Sequence, residues 1–141
     1  SGCVSTANAV QSQRSVPLAG TTHCSFPAGS VPRAAVLAEG SLLDPWECLA
    51  GLPGNQLLDS LAVDGEGNVC VATLLNGGIT VIDPADGSYT HVPTGDLLTT
   101  NICFGDSDGS GQYRDAYITA SSSGKLLHMR WPHNGLRLHH M

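Results

Sequence analysis

A chain of 141 residues is one domain's worth of polypeptide, enough for one modest core and no second. With 41% apolar and only 13% charged residues it reads as globular, with little charged surface. Twelve acids against six bases give a net charge of -6, which excludes the basic footprint of a nucleic-acid binder and suits a cation or a neutral ligand.

In chain order the pattern starts poorly and then sharpens. Val10, Val16, Leu18, Cys24 and Phe26, followed by Ala34 to Ala38, suggest strands that Ser, Pro and Gly keep interrupting, so residues 1–54 read as a degenerate blade or a cover segment of a single domain. Residues 61–93 are far clearer. Four short apolar runs, Leu61–Asp64, Asn68–Thr73, Ile79–Ile82 and Tyr89–Val92, alternate with turn signals at Asp64-Gly-Glu-Gly-Asn68, Leu75-Asn-Gly-Gly78 and Asp83-Pro-Ala-Asp-Gly87. Gly and Asn supply the positive φ that tight hairpins demand. Four antiparallel strands in a meander make one propeller blade. The pattern recurs at Asn101–Phe104, Ala116–Ala120 and Lys125–Trp131, a period of about 40 residues that belongs to propellers. Its first hairpin, Gly105 to Gln112, is longer, an insertion that a surface loop absorbs at little entropic cost. The expected fold is therefore all-β: a partial β-propeller with four-stranded antiparallel blades over 55–98 and 99–141, a degenerate third, and about half of a six-bladed ring.

Leu58-Asp-Ser-Leu-Ala-Val-Asp-Gly-Glu-Gly-Asn-Val-Cys-Val-Ala72 and Asn76-Gly-Gly-Ile-Thr-Val-Ile-Asp-Pro84 resemble the gluconolactonase and regucalcin family, also called the senescence marker protein family. Thr100–Gly105, Ala116–Thr119, Ser123–Leu126 and Trp131–Leu138 resemble its closing blades, in order and with similar spacing. The resemblance implies the C-terminal half of a six-bladed propeller that holds one divalent cation, usually calcium, on its axis and hydrolyses lactones or, in some members, phosphoesters. It also implies cation ligands. Asp59 matches the family's later Asp, with Ser60 in place of the usual Gly, and Asn8 in Ala7-Asn-Ala-Val10 falls where the family places its Asn. The family's first-blade Glu and its upstream substrate-binding Asn have no counterpart in this chain.

Residues just before successive inner strands converge on a propeller's axis, and Asn8, Asp59 and Asn101 hold such positions. A hard cation takes oxygen ligands, which an Asp carboxylate and Asn carbonyls provide. The bland alternative is that Asp59 and Asn101 only form turns at strand starts. A bound metal would act as a Lewis acid on a lactone carbonyl while a carboxylate activates water, and Asp59 is the candidate for that catalytic base. Gly105-Asp-Ser-Asp-Gly109 matches G-x-S-x-G, but a turn and strand follow where a nucleophile elbow needs a helix. Asp106 and Asp108 have no closing Glu and no flanking helices, so a solvated hairpin tip is expected. His128 reads as satisfied or outward-facing, His139 and His140 as a frayed end, and Trp46 and Trp131 as packing anchors.

Cys3, Cys24, Cys48, Cys70 and Cys103 are odd in number and form no C-x-x-C pair. Cys70 and Cys103 lie inside apolar strand patterns, where a free thiol acts as a small core hydrophobe. A reduced, cytoplasmic protein is the expectation. No apolar run approaches the roughly 18 residues of a membrane span, and no charged-then-apolar leader opens the chain, so no membrane partner is expected. The chain opens with Ser-Gly rather than Met, so a native start further upstream is expected. Two or three blades cannot close a ring, so apolar flanks stay open and a homodimer is expected, while the family resemblance implies a small-molecule lactone as the ligand.

Overall fold

The computed structural model describes residues 30–33, 47–54 and 56–137. The chain divides into two compact units, Ser1–Asn55 and Gln56–Met141. In the first, β1 (Ser30–Arg33) pairs antiparallel with β2 (Glu47–Gly51), and the register shifts between Val31 and Pro32. Proline lacks the N–H that a ladder uses, so such an irregularity is where a strand tolerates it. Val31, Leu49, Ala50 and Leu52 are buried.

The second unit is two antiparallel meanders. Strands β3 (Leu57–Val63), β4 (Val69–Leu74), β5 (Gly78–Ile82) and β6 (Tyr89–Pro93) form one sheet in that order, and β7 (Thr99–Gly105), β8 (Asp115–Ala120) and β9 (Lys125–Arg130) form the other. All the predicted hairpins of the first meander are present. In the turn after β3, the buried carboxylate of Asp64 accepts hydrogen bonds from the backbone N–H groups of Glu66 (3.0 Å) and Asn68 (2.9 Å) and from Asn68 Nδ2 (3.0 Å), while Gly67 takes φ +90°. After β4 the left-handed positions are Leu75 and Gly77, both at φ 68°. Leucine there joins the glycines expected at such positions. Its N–H donates to Leu97 O (2.8 Å), a tertiary bond that offsets the roughly 1–2 kcal/mol cost of the left-handed conformation.

One core joins the two sheets. Cys70, Ala72 and Ile79 of the first meet Ile102, Ala116, Ile118 and Trp131 of the second, with Ala62, Val81, Val92, Phe104, Leu127 and Met129 packed around them. Each fully buried aliphatic side chain contributes about 1.5–3 kcal/mol. Trp131 lies against Phe104 with ring centroids 5.7 Å apart, the anchor role its sequence position suggested.

The second meander has three strands among the described residues, where a fourth was expected. After β9 the chain turns at Pro132 and crosses to the first sheet: Gly135 bridges Asp64, Gly65 N–H donates to Asn134 O (2.5 Å) and Leu136 N–H donates to Val63 O (3.0 Å). Arg114 also donates to Pro132 O. Gly135 is required there, because a Cβ would run into the Cβ of Phe104. Cys103 is a second correction. It is exposed, while Cys70 is buried as expected. Strand β7 buries Ile102 and turns the alternate positions, Asn101 and Cys103, to the open face.

Candidate functional site

Both inner strands carry a β-bulge near their start. In β3 the register shifts between Leu58, opposite Thr73, and Leu61, opposite Val71, leaving Asp59 and Ser60 to face Ala72. In β7 it shifts between Thr99, opposite Ala120, and Asn101, opposite Thr119. Bulges re-aim side chains and gather at functional edges. Strand β3 lies beside β7, so the two bulges sit at the same end of neighbouring blades.

Asp59 is half-buried and accepts no hydrogen bond from the described residues. Every other described aspartate does: Asp64, Asp83, Asp86, Asp96, Asp106, Asp108 and Asp115 each hold a backbone or side-chain donor. Carboxylates that leave water normally find such donors, so Asp59 stands apart. Asn101 is exposed and shares no hydrogen bond with Asp59. Counting back from the Leu61–Val71 and Ile102–Ile118 pairs, the position corresponding to Asp59 is Thr100, not Asn101. Thr100 Oγ1 is engaged with Thr119 Oγ1 (2.9 Å) and Ser121 Oγ (2.7 Å). Asn8 lies outside the described residues. A calcium ion takes six to eight oxygens, and Asp59 and Asn101 offer one carboxylate and one amide carbonyl. No group of three or more His, Cys, Asp or Glu able to hold a metal exists among the described residues. The donor type suits a hard cation, but the described residues do not complete its shell.

Two other aspartates organise the second sheet, and nothing in their local sequence announced them. Asp115 is buried at 2% exposure and receives Ser107 Oγ–H (2.6 Å), Ser107 N–H (3.2 Å), His128 Nε2–H (2.7 Å) and Arg130 Nη1 (3.3 Å). The Ser107 hydroxyl first, then His128, hold its carboxyl down to about 2. His128 is thus both satisfied and outward-facing, its ring stacked on Tyr117 at 5.1 Å. Ser107 lies in a loop followed by strand β8 and not by a helix, and its hydroxyl donates to Asp115, so G-x-S-x-G is no nucleophile elbow here. The Asp106–Gly111 tip is largely exposed, as expected, with both aspartates capping backbone N–H groups of their own loop. Asp96, in the connection from β6 to β7, receives the hydroxyl and N–H groups of Ser122 and Ser123 (2.6–3.1 Å), and the Ser122 hydroxyl above all holds its carboxyl well below the usual range.

Comparison with curated proteins found no match. Among protein families, residues 19–122, well over half of the chain, match the SMP-30/Gluconolactonase/LRE-like region. With two antiparallel meanders on a shared core and bulged inner strands side by side, the chain belongs to the SMP-30/gluconolactonase/LRE-like family.

Proposed function

We propose that this chain is the closing part of a lactonase-type hydrolase propeller, in which Asp59 is the working carboxylate. One observation carries the reading: in a family of lactonase-like propellers, Asp59 is the described aspartate that accepts no hydrogen bond from the described residues, on the bulge of an inner strand. A water oxygen attacks the lactone carbonyl, Asp59 takes the water's proton, the ring acyl–oxygen bond breaks, and the proton passes to the departing alkoxide to give a hydroxy acid. Asp59, Asn8 and Asn101 are the proposed oxygen donors to a divalent cation, calcium by their chemistry. The chain alone turns over slowly, because the family's Glu and upstream Asn have no counterpart in it.

Calorimetric titration with calcium tests the ligand role. Asp59→Asn should weaken binding by about tenfold or more; an unchanged affinity removes Asp59 from the site. Hydrolysis of simple aldonolactones, with calcium or with chelator, should fall to background in Asp59→Ala.

A second reading, a non-catalytic assembly module, is favoured by the open face of the second sheet. Asn101, Cys103, His128 and Arg130 are exposed there, whereas β4 is buried along both faces. In this reading two copies pair as a homodimer. Light scattering on eluting protein, with calcium and with chelator, separates the two: a monomer under both conditions rejects assembly.

A further inference from the structure

Seven large apolar side chains are exposed among the described residues, and four of them, all leucines, stand at the end of the first sheet where Asp59 lies. Leu57 precedes Asp59 by two residues on β3 and pairs across the sheet with Leu74. Leu75 follows in the β4–β5 turn, and its N–H donates to the backbone oxygen of Leu97 (2.8 Å), which brings the connection from β6 to β7 over that turn. Leu98 ends the connection two residues before Thr100, the position on β7 that corresponds to Asp59. The four are 41–62% exposed and form an apolar rim.

Leu75 needs a reason beyond the fold. Among the described residues it is the one that takes positive φ without being glycine, a conformation in which leucine is strained and asparagine is far less so. Its bond to Leu97 uses the backbone alone, so any residue would make it. Its side chain is half in water, where packing returns little of the strain. A strained backbone that keeps a large exposed apolar side chain points to something which that side chain touches. The polar groups around the rim are already committed to one another. Thr94 and Thr99 share their hydroxyls at 2.6 Å, Thr100 is engaged by Thr119 and Ser121, and Asn76 Nδ2 donates to His91 Nδ1 (3.2 Å).

A substrate held at Asp59 has these leucines beside it. A sugar lactone would strip its hydroxyls of water against them and receive no hydrogen bond in return. An alkyl substituent leaves water there with a gain that grows with the apolar area covered. Resting on Asp59 as the working carboxylate, we propose that the rim of Leu57, Leu75, Leu97 and Leu98 holds the apolar substituent of the substrate, and that the substrate class is lactones carrying an alkyl chain, with aldonolactones turned over less well.

Methyl NMR titration of the full chain, in calcium, with γ-butyrolactone, γ-hexalactone, γ-octalactone and γ-decalactone tests it. Gluconolactone is the hydroxylated control, and an alkylamine of matching length is the cationic one, since Asp59 would draw a cation by charge. Shifts should gather on the four leucines, and affinity should rise roughly twofold per added methylene, where complete burial would give about fourfold. Leu75→Asn relieves the φ of 68° and should fold at least as well as the native chain, yet it should weaken γ-decalactone binding by roughly threefold and flatten the dependence on chain length. Leu97→Ser, at an exposed position, should do the same. The proposal is overturned if affinity is indifferent to chain length, if gluconolactone or the amine binds more tightly than γ-decalactone, or if both leucine variants bind like the native chain. Hydrolysis of the same lactones separates this failure from that of the underlying reading: loss of turnover in Asp59→Asn with a flat chain-length profile removes only the rim, whereas turnover that Asp59→Asn does not slow removes Asp59 as the working carboxylate and the substrate assignment with it.

Discussion

The two sheets of the second unit are built from the same repeat and buried differently. Strand β4 hides Val69, Cys70, Val71, Ala72 and Thr73 in succession, so both of its faces are covered. Its counterpart β8 alternates, with Ala116, Ile118 and Ala120 buried and Tyr117 and Thr119 partly open, and β9 exposes Leu126, His128 and Arg130. A continuous buried run against an alternation from Ala116 onward is what two covered faces and one covered face require. Polar residues fill the difference. In the first sheet the buried hydroxyls of Thr73 and Thr80 bond each other at 2.8 Å, whereas in the second the Asp115 cluster fastens the long Gly105–Gln112 loop to β8 and β9.

Removing the shared core should hurt most. Trp131→Ala takes away the aromatic wall between the sheets and should destabilise the protein by about 3–5 kcal/mol, read as a lower urea midpoint. A loss below about 1 kcal/mol would mean that the sheets do not share a core in solution.

Overpacking the first sheet comes next. A Cβ at Gly78 would strike the backbone oxygen of Val92 and the ring of His91, and backbone cannot rotate away. Gly78→Ala should cost about 1–3 kcal/mol, while Gly124→Ala, with open space around its Cβ, should show only the strain of its φ of 64°. Equal midpoints for the two variants would break the contrast.

Acid should loosen the second sheet through its aspartates. The carboxyl of Asp115 falls from the ordinary value of about 3.9 to about 2 in the fold, because Ser107, His128 and Arg130 favour its charged form. A depressed folded-state pKa means stability that is fully present above pH of about 4 and is lost as pH falls through about 2. Asp96 acts in the same direction. Asp115→Asn should flatten the decline of the urea midpoint in that window; an unchanged slope would show that the cluster does not form.

The smallest effect separates the two thiols. Burial, and then the charge of Asp64, pushes Cys70 up to about 12, so it should resist labelling until the protein unfolds. Cys103 on the open face should be modified rapidly, with peptide mass mapping as the readout. Cys103→Ser should change stability by less than about 0.5 kcal/mol. Slow labelling of Cys103 in the native protein would show that something covers that face, as pairing of two copies would.

By itself the sequence determined the elements. The alternation of short apolar runs with Gly, Asn and Asp turns set the strands, their antiparallel order and the repeat, because hairpin geometry is local and only a few residue types satisfy it. It also placed Asp59 at the start of an inner strand, where the structure finds a bulge and a carboxylate that accepts no hydrogen bond from the described residues. Tertiary structure decided which face of each strand is covered, and so why Cys70 is buried while Cys103, in a similar apolar pattern, is not. It decided that the run after Trp131 crosses to Asp64 instead of adding a strand, and that Leu57, Leu75, Leu97 and Leu98 gather at the Asp59 end of the first sheet. Those outcomes depend on residues far apart in the chain meeting across a packed interior. A strand's period tells which residues share a side, but not what lies against that side.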